Sequence, residues 1–382
     1  MRTAGRDAAY MAMALRLAAR ARGNTSPNPM VGAVVVSGRR IVGQGYHQRP
    51  GGPHAERIAL ESAGHLAKGA TLYVTLEPCC HTRKRTPPCV PLLIQSGLHR
   101  VVIAMRDPNP QVHGRGIRRL RRAGVEARVG CLRDQAERLN EAYIHWIRTG
   151  RPFVVLKAGM TLDGKIATAS GESHWITSEE ARRDAHRLRR QSDAIMVGIE
   201  TVLRDDPRLT ARILRNRSEE LARRQPLRIV VDSRLRIPPH AKVLSSKPRA
   251  KALVATTDKA PQRRIDELRA RGVTVLVLPT EEGKVSLKTC LNHLAKRGVT
   301  SLVLEGGGEL NATALRTGLV NRVRLYVAPT LLGGRDAKAV IGGVSPKRLA
   351  DAIGVHDFQS RRIGRDLLLE GQISPRTTRS RR

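Results

Sequence analysis

Three residues that commonly bind zinc occur in a fixed order in the first quarter of the chain. His54 is followed two positions later by Glu56, and Cys79 and Cys89 each directly follow a proline. One histidine and two cysteines supply three ligands to a tetrahedral zinc ion and leave the fourth position for a water molecule. Because the three ligands must meet at one ion, this pattern requires a fold that brings distant segments together.

Glu56 gives the predicted zinc site a catalytic role. Zinc lowers the pKa of a bound water molecule toward about 7, so the water can act as a nucleophile. Glu56, at the start of a predicted helix, is placed to take a proton from that water and pass it to a leaving amino group. We also expect Cys79 to begin a helix, whose free N–H groups favour a thiolate. The alternatives are a non-catalytic zinc site or unrelated core cysteines, which the two Pro-Cys sequences disfavour.

The length of the chain and one short connector predict two domains. A chain of 382 residues exceeds the roughly 250–300 residues that one hydrophobic core serves. Residues 148–152 combine two arginines, a glycine and a proline, which is the composition of an inter-domain connector. We therefore predict one domain over residues 1–147, a second domain over 151–372, and a basic, disordered tail over 373–382.

Apolar periodicity predicts alternating helices and strands in both halves. In the first half we predict helices over residues 7–21 and 54–63, and strands over 31–36, 41–43, 71–76 and 101–105. In the second half we predict strands over residues 153–158, 194–197, 228–231, 252–255, 273–278, 301–304 and 323–327. The predicted fold class is α/β in both domains, with a mostly parallel, nucleotide-binding sheet in the second. The polar, basic run 212–225 is expected to be a surface insertion.

Composition bears on partners and compartment. The formal charge of +36 points at first toward nucleic acid. The basic residues are nevertheless spread along the whole chain, and only 2% of residues are aromatic, so few side chains can stack on bases. We therefore expect a solvated basic surface and no nucleic-acid partner. Five cysteines, three of them within eleven positions, fit a metal cluster in a reducing compartment, which predicts the cytoplasm. The longest apolar runs fall far short of the roughly 20 residues that span a bilayer, so no membrane partner is expected.

Short motifs in both halves resemble one enzyme family. In the first half they are TSPNPMVG at 25–32, GYH at 45–47, HAE at 54–56, TLEPC at 75–79, RTPPC at 85–89 and DPNP at 107–110. In the second half they are KAGMTLDGK at 157–165, SHWIT at 173–177, TVLRDDP at 201–207 and LEGGG at 304–308. Together these motifs resemble the bifunctional riboflavin-biosynthesis deaminase/reductase family over roughly residues 7–335.

The resemblance implies a fold and two reactions. It implies a cytidine-deaminase-like α/β/α domain followed by a dihydrofolate-reductase-like α/β domain. The first domain would use one Zn²⁺ per chain to deaminate 2,5-diamino-6-(5-phosphoribosylamino)pyrimidin-4-one. The second would use NADPH to reduce the ribosyl chain of 5-amino-6-(5-phosphoribosylamino)uracil to ribityl. The partners implied are these phosphoribosyl-pyrimidines and further copies of the same chain, as a homo-oligomer.

The resemblance also assigns roles in the deaminase half, with one departure. It makes His54, Cys79 and Cys89 the zinc ligands and Glu56 the proton shuttle, and it implies substrate contacts at Asn28, His47 and Arg85. Arg85 suits the ribose phosphate because a guanidinium binds phosphate bidentately, whereas Asn28 between prolines also fits a simple turn. Arg83-Lys84 stands where the family usually has a single glycine, so the cysteine loop is one residue longer. Cys80 would restore the usual spacing, but the preceding Leu-Glu-Pro sequence favours Cys79.

In the reductase half, a glycine run after a predicted strand suits a pyrophosphate at a helix N-terminus, although alone it also fits a plain strand-to-helix turn. The resemblance implies NADP contacts at Gly159, Trp175, Thr201, Asp205, Ser233, Gly307, Gly308, Glu309, Leu310, Asn311, Ala312 and Thr313. Trp175 also fits a core aromatic. The resemblance implies substrate contacts at Ser173, Arg189, Leu209, Arg212 and Glu305. Lys157 and Asp205 are the titratable groups best placed to assist proton transfer during reduction.

Two other functions remain compatible with parts of the sequence. The high charge and the H-x-E and P-C motifs also occur in nucleic-acid-editing deaminases, but a whole NADPH domain has no purpose there. The longer cysteine loop could silence the deaminase half and leave a monofunctional reductase. The intact Glu56 argues against that interpretation.

Overall fold

The computed structural model describes residues 2–81, 86–212, 225–245 and 251–374. The chain divides into two compact units, Met1–Arg151 and Pro152–Arg382. Arg85, the predicted insertion between residues 213 and 224, and the predicted tail from residue 375 lie outside the described residues. Among the helices that the structure describes, none is both long and apolar enough to cross a membrane.

The first unit is a five-stranded sheet covered by helices on both faces. Its strands are β1 (Gly32–Ser37), β2 (Arg40–Tyr46), β3 (Thr71–Leu76), β4 (Arg100–Met105) and β5 (Glu126–Val129). Its helices are α1 (Arg2–Ala19), α2 (Ala55–Ala63), α3 (Cys89–Gln95), α4 (Arg115–Arg122), α5 (Arg133–Leu139) and α6 (Glu141–Thr149). The strand order is β2-β1-β3-β4-β5, with β1 antiparallel to both neighbours and β3, β4 and β5 parallel.

Two apolar clusters fill the faces of this sheet. One includes Ala59 of α2 and Leu93 of α3, and the other includes Met11 of α1 and Ile144 of α6. A strand buried on both faces has no polar side, which is why residues 101–105 of β4 form a continuous apolar run. The α/β/α arrangement expected for this half is confirmed.

The second unit is built on a nine-stranded sheet. Its long strands are β6 (Phe153–Thr161), β8 (Ala194–Gly198), β9 (Leu227–Val231), β10 (Ala252–Thr256), β11 (Thr274–Val277), β14 (Ser301–Leu304), β15 (Arg322–Ala328), β17 (Val355–Ile363) and β18 (Asp366–Ile373). Short pairs are formed by β7 (Lys165–Ala167) with β16 (Lys338–Ala339), and by β12 (Thr280–Glu281) with β13 (Lys284–Val285). Its helices are α7 (Glu179–Gln191), α8 (Ile199–Asp205), α9 (Gln262–Ala270), α10 (Leu287–Lys296) and α11 (Gly308–Arg316).

Seven strands of this sheet are parallel and two are antiparallel. The order is β11-β10-β9-β8-β14-β6-β15-β18-β17, and only β18 and β17 run antiparallel to their neighbours. Helices α10 and α11 pack on one face through residues such as Leu291 and Leu315, and α8 and α9 pack on the other through Val202 and Leu268. The mostly parallel sheet is confirmed. Ligands of such sheets bind beyond the carboxyl ends of the strands.

Some elements differ from the sequence-based expectations. Strands 71–76 and 301–304 have the predicted bounds, whereas β5, β17 and β18 were not predicted. Eight of the nine residues of β17 are exposed, so the strand lacks the buried stripe on which periodicity depends. The expected helix start at Cys79 is wrong, because the helix of this motif, α3, begins at Cys89.

Candidate active sites

Two glycines of β2 allow α2 to pack closely against this strand. A Cβ atom on Gly43 would lie 2.1 Å from the carbonyl oxygen of Ala59, and one on Gly45 would lie 2.8 Å from the carbonyl oxygen of Ala55. Only glycine permits this approach of helix to strand. The close packing fixes His54 at the N-cap of α2 and buries Glu56 in its first turn.

His54 and two cysteines form a cluster suited to zinc. Nδ1 of His54 lies 3.5 Å from Sγ of Cys79 and 3.3 Å from Sγ of Cys89, and the three ligand atoms lie within 4.8 Å of one another. Zinc bonds of about 2.0 Å to nitrogen and 2.3 Å to sulfur give tetrahedral ligands that lie about 3.5 Å apart, so this donor set fits the ion. Cys80 instead packs in the apolar core, where burial raises the pKa of its thiol.

The N-terminus of α3 contributes to this cluster. The backbone N–H of Cys89 lies 3.4 Å from Sγ of Cys79 and 3.1 Å from its carbonyl oxygen. A helix N-terminus favours a nearby thiolate, so the expected dipole effect on Cys79 comes from α3 across the loop. On the other side of the imidazole, Oγ1 of Thr86 lies 2.9 Å from Nε2 of His54.

Glu56 and two predicted substrate contacts line a cavity of about 560 Å³ beside the metal cluster. Burial, and next the neighbouring Cys79, raises the pKa of the Glu56 carboxyl. His47 Nδ1 lies 3.0 Å from the carbonyl oxygen of Pro53, and its Nε2 lies 3.1 Å from Nδ2 of Asn28. Burial lowers the pKa of His47. A neutral His47 that donates from Nδ1 therefore accepts the Asn28 amide at Nε2.

The opposite wall of this cavity is formed by the segment after β4 and by α6. Asp107 accepts hydrogen bonds from the backbone N–H of Asn109 at 2.9 Å and from the Tyr143 hydroxyl at 3.0 Å. Burial raises the pKa of Asp107 to about 6. Asn109, Tyr143 and Trp146 line the same cavity. The wall thus offers hydrogen-bonding groups and aromatic rings to a planar polar heterocycle.

In the second unit, Lys157, Arg189 and Glu305 form an ionic cluster whose side chains are 10–17% exposed. Arg189 donates Nε–H and Nη2–H to the two carboxylate oxygens of Glu305, each at 2.7 Å, and Lys157 Nζ lies 3.5 Å from Oε2. Burial alone would raise the pKa of Glu305, but Arg189 and Lys157 outweigh it and hold this pKa well below its usual value. Burial lowers the pKa of Lys157.

Residues 209–212 lie next to α7, which carries Arg189 of this cluster. The backbone N–H of Arg212 lies 3.3 Å from Nδ1 of His186, and Arg189 also donates to the carbonyl oxygen of Thr210 at 3.2 Å. Burial, and next Arg189, lowers the pKa of His186 to about 4. Leu209 has a positive φ of 49° and buries its side chain in an apolar cluster. Its predicted substrate contact would therefore come from its backbone.

The remaining predicted residues follow the carboxyl ends of neighbouring strands. Ser173 donates to Oδ1 of Asp205 at 3.3 Å, and Thr201 lies in α8, directly after β8. Ser233 follows β9, and its Oγ accepts the backbone N–H of Val285 at 3.1 Å. The glycine run follows β14, with Gly307 as the N-cap of α11 and Gly308 to Thr313 in that helix.

Two more residues of the predicted NADP set are Gly159, in β6, and Trp175, in the segment before α7. A Cβ atom on Gly159 would lie 3.1 Å from Cγ2 of Thr177, so the strand passes close to this threonine. The Trp175 side chain is 67% exposed, and the Arg182 guanidinium lies 4.4 Å from the centre of its ring. The alternative that Trp175 is a core aromatic is therefore wrong.

Comparison with known proteins gives both units a family. Residues 152–369 match the family model described as the RibD C-terminal domain, and residues 5–105 match the cytidine and deoxycytidylate deaminase zinc-binding region. The riboflavin biosynthesis protein RibD of Actinobacillus pleuropneumoniae is 45% identical over 95% of this chain and 94% of its own length. The chain belongs to the RibD family. It is accordingly a bifunctional deaminase and reductase of riboflavin biosynthesis.

Solved RibD structures share this fold. Acinetobacter baumannii RibD matches with a TM-score of 0.87 and 38% identity, over 97% of this chain and 99% of that one. A Thermotoga maritima protein described as a diaminohydroxyphosphoribosylaminopyrimidine deaminase/5-amino-6-(5-phosphoribosylamino)uracil reductase matches with a TM-score of 0.83 and 33% identity, over 97% of this chain and 100% of that one. These similarities do not favour a nucleic-acid-editing deaminase or a reductase with a silenced deaminase half.

The RibD resemblance left several cavity residues without a role. Five residues that line the deaminase cavity were not predicted as site residues: Thr86, Asp107, Asn109, Tyr143 and Trp146. A signal for two of them was present, because the Asp-Pro-Asn-Pro sequence directly follows a predicted parallel strand, where site residues gather. The α6 aromatics gave no such signal, since their spacing matches an ordinary amphipathic helix.

Proposed function

We propose that the first unit deaminates 2,5-diamino-6-(5-phosphoribosylamino)pyrimidin-4-one, with His54, Cys79 and Cys89 as zinc ligands and Glu56 as the proton shuttle. The observation that carries this assignment is the cluster of the three ligand atoms within 4.8 Å beside a buried carboxyl group. Zinc at this site would supply the Lewis-acid chemistry that makes water a nucleophile near neutral pH.

The residues of the cavity divide the remaining work. Glu56 takes a proton from the nucleophilic water and passes it to the leaving amino group, and its raised pKa suits both transfers. Asn28 and His47 hold the pyrimidine through amide and imidazole groups that already hydrogen-bond to each other. We assign the ribose phosphate to Arg85 because of its guanidinium chemistry.

We propose that the second unit reduces the ribosyl chain of 5-amino-6-(5-phosphoribosylamino)uracil to ribityl with NADPH. NADPH would supply the hydride. The glycine run before α11 would hold its pyrophosphate through backbone N–H groups, together with the other predicted NADP contacts. Arg189, Arg212 and Glu305 would orient the substrate, with Ser173 and Leu209 beside them.

We propose that Lys157 and Asp205 assist proton transfer during the reduction. The ammonium group of Lys157 is buried against Glu305, and its lowered pKa makes it a better acid near neutral pH. Asp205 lies beside Ser173 and accepts a hydrogen bond from its hydroxyl group. The observation that carries this assignment is the ionic cluster of Lys157, Arg189 and Glu305 at the carboxyl edge of the sheet.

Reciprocal variants test both assignments in one chain. Glu56→Gln should lower ammonia release at least about 10²-fold, because it removes the proton shuttle, while NADPH oxidation on the deaminated product stays unchanged. Lys157→Met should have the opposite pattern, with a loss of about 10²-fold in the reductase turnover only. Zinc content, measured by elemental analysis, should stay near one ion per chain in both variants.

Three outcomes would contradict these roles. Wild-type protein without zinc or without ammonia release would show that the longer cysteine loop disables the first unit. Unchanged reductase turnover in the Lys157 variant would remove this residue from the reduction. Full ammonia release by the Glu56 variant would remove this residue from the mechanism.

We also propose a cytoplasmic homo-oligomer that acts on small molecules and has no nucleic-acid partner. The support for self-association is β17, an edge strand whose exposed residues include Val355 at 43% and Phe358 at 59%. Unpaired backbone groups and apolar side chains on one edge favour pairing with another chain. A second copy is the occupant we assign to this edge. We assign residues 1–147 to the deaminase and 151–372 to the reductase.

A further inference from the structure

A segment over residues 331–343, here called the strap, is tied at one end to the turn after β6. The Asp163 carboxylate accepts hydrogen bonds from Thr161 Oγ1 at 2.6 Å and from the backbone N–H groups of Leu332 at 3.1 Å and Gly333 at 2.8 Å. The Thr161 hydroxyl, and next the Gly333 N–H, lowers the pKa of Asp163 to about 2. This exposed carboxylate is therefore ionised at physiological pH and fixes the start of the strap.

The other end of the strap is tied to the first turn of α11. The Gly342 N–H donates to the carbonyl oxygen of Gly308 at 3.0 Å, and the Gly343 N–H donates to Oε1 of Glu309 at 3.1 Å. Between the two ends, β16 of the strap pairs with β7, and the Asn311 side chain donates to the carbonyl oxygen of Val340 at 2.9 Å.

Backbone packs directly on backbone where the strap crosses α11. A Cβ atom on Gly308 would lie 2.6 Å from the carbonyl oxygen of Ala339 and 3.0 Å from the backbone nitrogen of Gly342. A Cβ atom on Gly342 would lie 2.8 Å from Oε1 of Glu309. Because a side chain at Gly308 would meet the backbone of the strap, a shift of the strap must move the glycine turn with it.

We propose that the strap holds the glycine turn of α11 in its NADPH-binding conformation, and that Asp163 is a positioning residue for cofactor binding. This inference rests on the proposed reductase function. Backbone N–H groups at a helix N-terminus bind a pyrophosphate only where their directions converge on it. Asp163 acts on that turn through the strap, and Gly342 transmits the constraint by direct contact with Gly308.

The test measures cofactor binding apart from catalysis. Asp163→Asn replaces one acceptor oxygen by an NH₂ group that cannot receive a backbone N–H, and Gly342→Ala places a Cβ atom 3.1 Å from the backbone carbonyl carbon of Gly308, which crowds the strap against α11. Each should raise the Kd of NADPH, measured by its fluorescence, and the KM of NADPH about tenfold. The reductase kcat at saturating NADPH, the KM of the pyrimidine and the rate of ammonia release should stay within about twofold of wild type.

A matched carboxylate in the same unit serves as the control. Asp351 is also exposed, and it accepts hydrogen bonds from the nearby Arg348 side chain. Asp351→Asn should leave the Kd of NADPH unchanged. Wild-type NADPH affinity in both strap variants would overturn the role of the strap, as would a fall in melting temperature and kcat at unchanged KM. Wild-type protein that binds no NADPH would instead refute the proposed reductase function, before any variant is compared.

Discussion

Thr86 fixes which nitrogen of His54 faces the cysteine sulfur atoms. Its hydroxyl lies 2.9 Å from Nε2, on the side of the ring opposite the cluster. With Nδ1 facing the sulfur atoms as the proposed metal ligand, Nε2 carries the ring proton and donates it to this hydroxyl. The sequence gives no sign of this role, since a hydroxyl that acts through another side chain obeys no ligand spacing.

Thr86→Val should weaken zinc binding. The change removes the acceptor for Nε2–H, so the imidazole loses its fixed orientation, and we expect the zinc Kd to rise about 10–100-fold. The Kd is measured by competition with a chromogenic chelator. Thr86→Ser keeps the hydroxyl and should retain wild-type affinity. Equal affinities in all three proteins would show that Thr86 does not orient His54.

At the level of elements, the site of the first unit depends on the contact of α2 with β2. His54 and Glu56 begin this helix, and Gly43 and Gly45 set its distance from the strand. The sequence contains both glycines, but only the packed structure shows that they face a helix rather than a turn. The metal site is thus built by a backbone contact that bears no functional group.

Gly43→Ala should damage both stability and zinc binding. The new Cβ would lie 2.1 Å from the carbonyl oxygen of Ala59, so α2 must move, at a cost of about 1–3 kcal/mol in the free energy of unfolding. Urea unfolding and the chelator assay measure the two effects. Gly5→Ala is the control, because the exposed Gly5 in α1 has nothing within 4 Å of its added Cβ. That control should gain about 0.5–1 kcal/mol. Equal stability of the two variants would contradict the packing argument.

For the whole molecule, the net charge and the proposed interface act in opposite directions on self-association. The formal charge of +36 opposes association through repulsion between copies, whereas the exposed edge β17 is the strand that we propose for pairing. Phe358 extends from this edge with 59% of its surface exposed. A charged residue at the centre of such an edge opposes pairing, since it would be desolvated between two chains.

Phe358→Asp should therefore reduce the oligomer. Light scattering after gel filtration should give more than one chain per particle for wild type and a smaller mass for the variant. Leu66→Asp in the first unit, at another exposed apolar residue, should leave the mass unchanged. A monomeric wild type would refute self-association, and an unchanged mass for the Phe358 variant would place the interface elsewhere.

The sequence alone determined the family and the two-domain order and predicted a His and Cys metal cluster, because ligand spacing and glycine turns are local patterns. It also determined most buried strands, since apolar runs such as 101–105 record burial directly. Tertiary structure decided what depends on distant segments meeting. It placed Cys79 rather than Cys80 at the cluster, brought Thr86 behind His54, and set the strap on α11. These contacts join residues that are far apart in the sequence, and no local pattern encodes them.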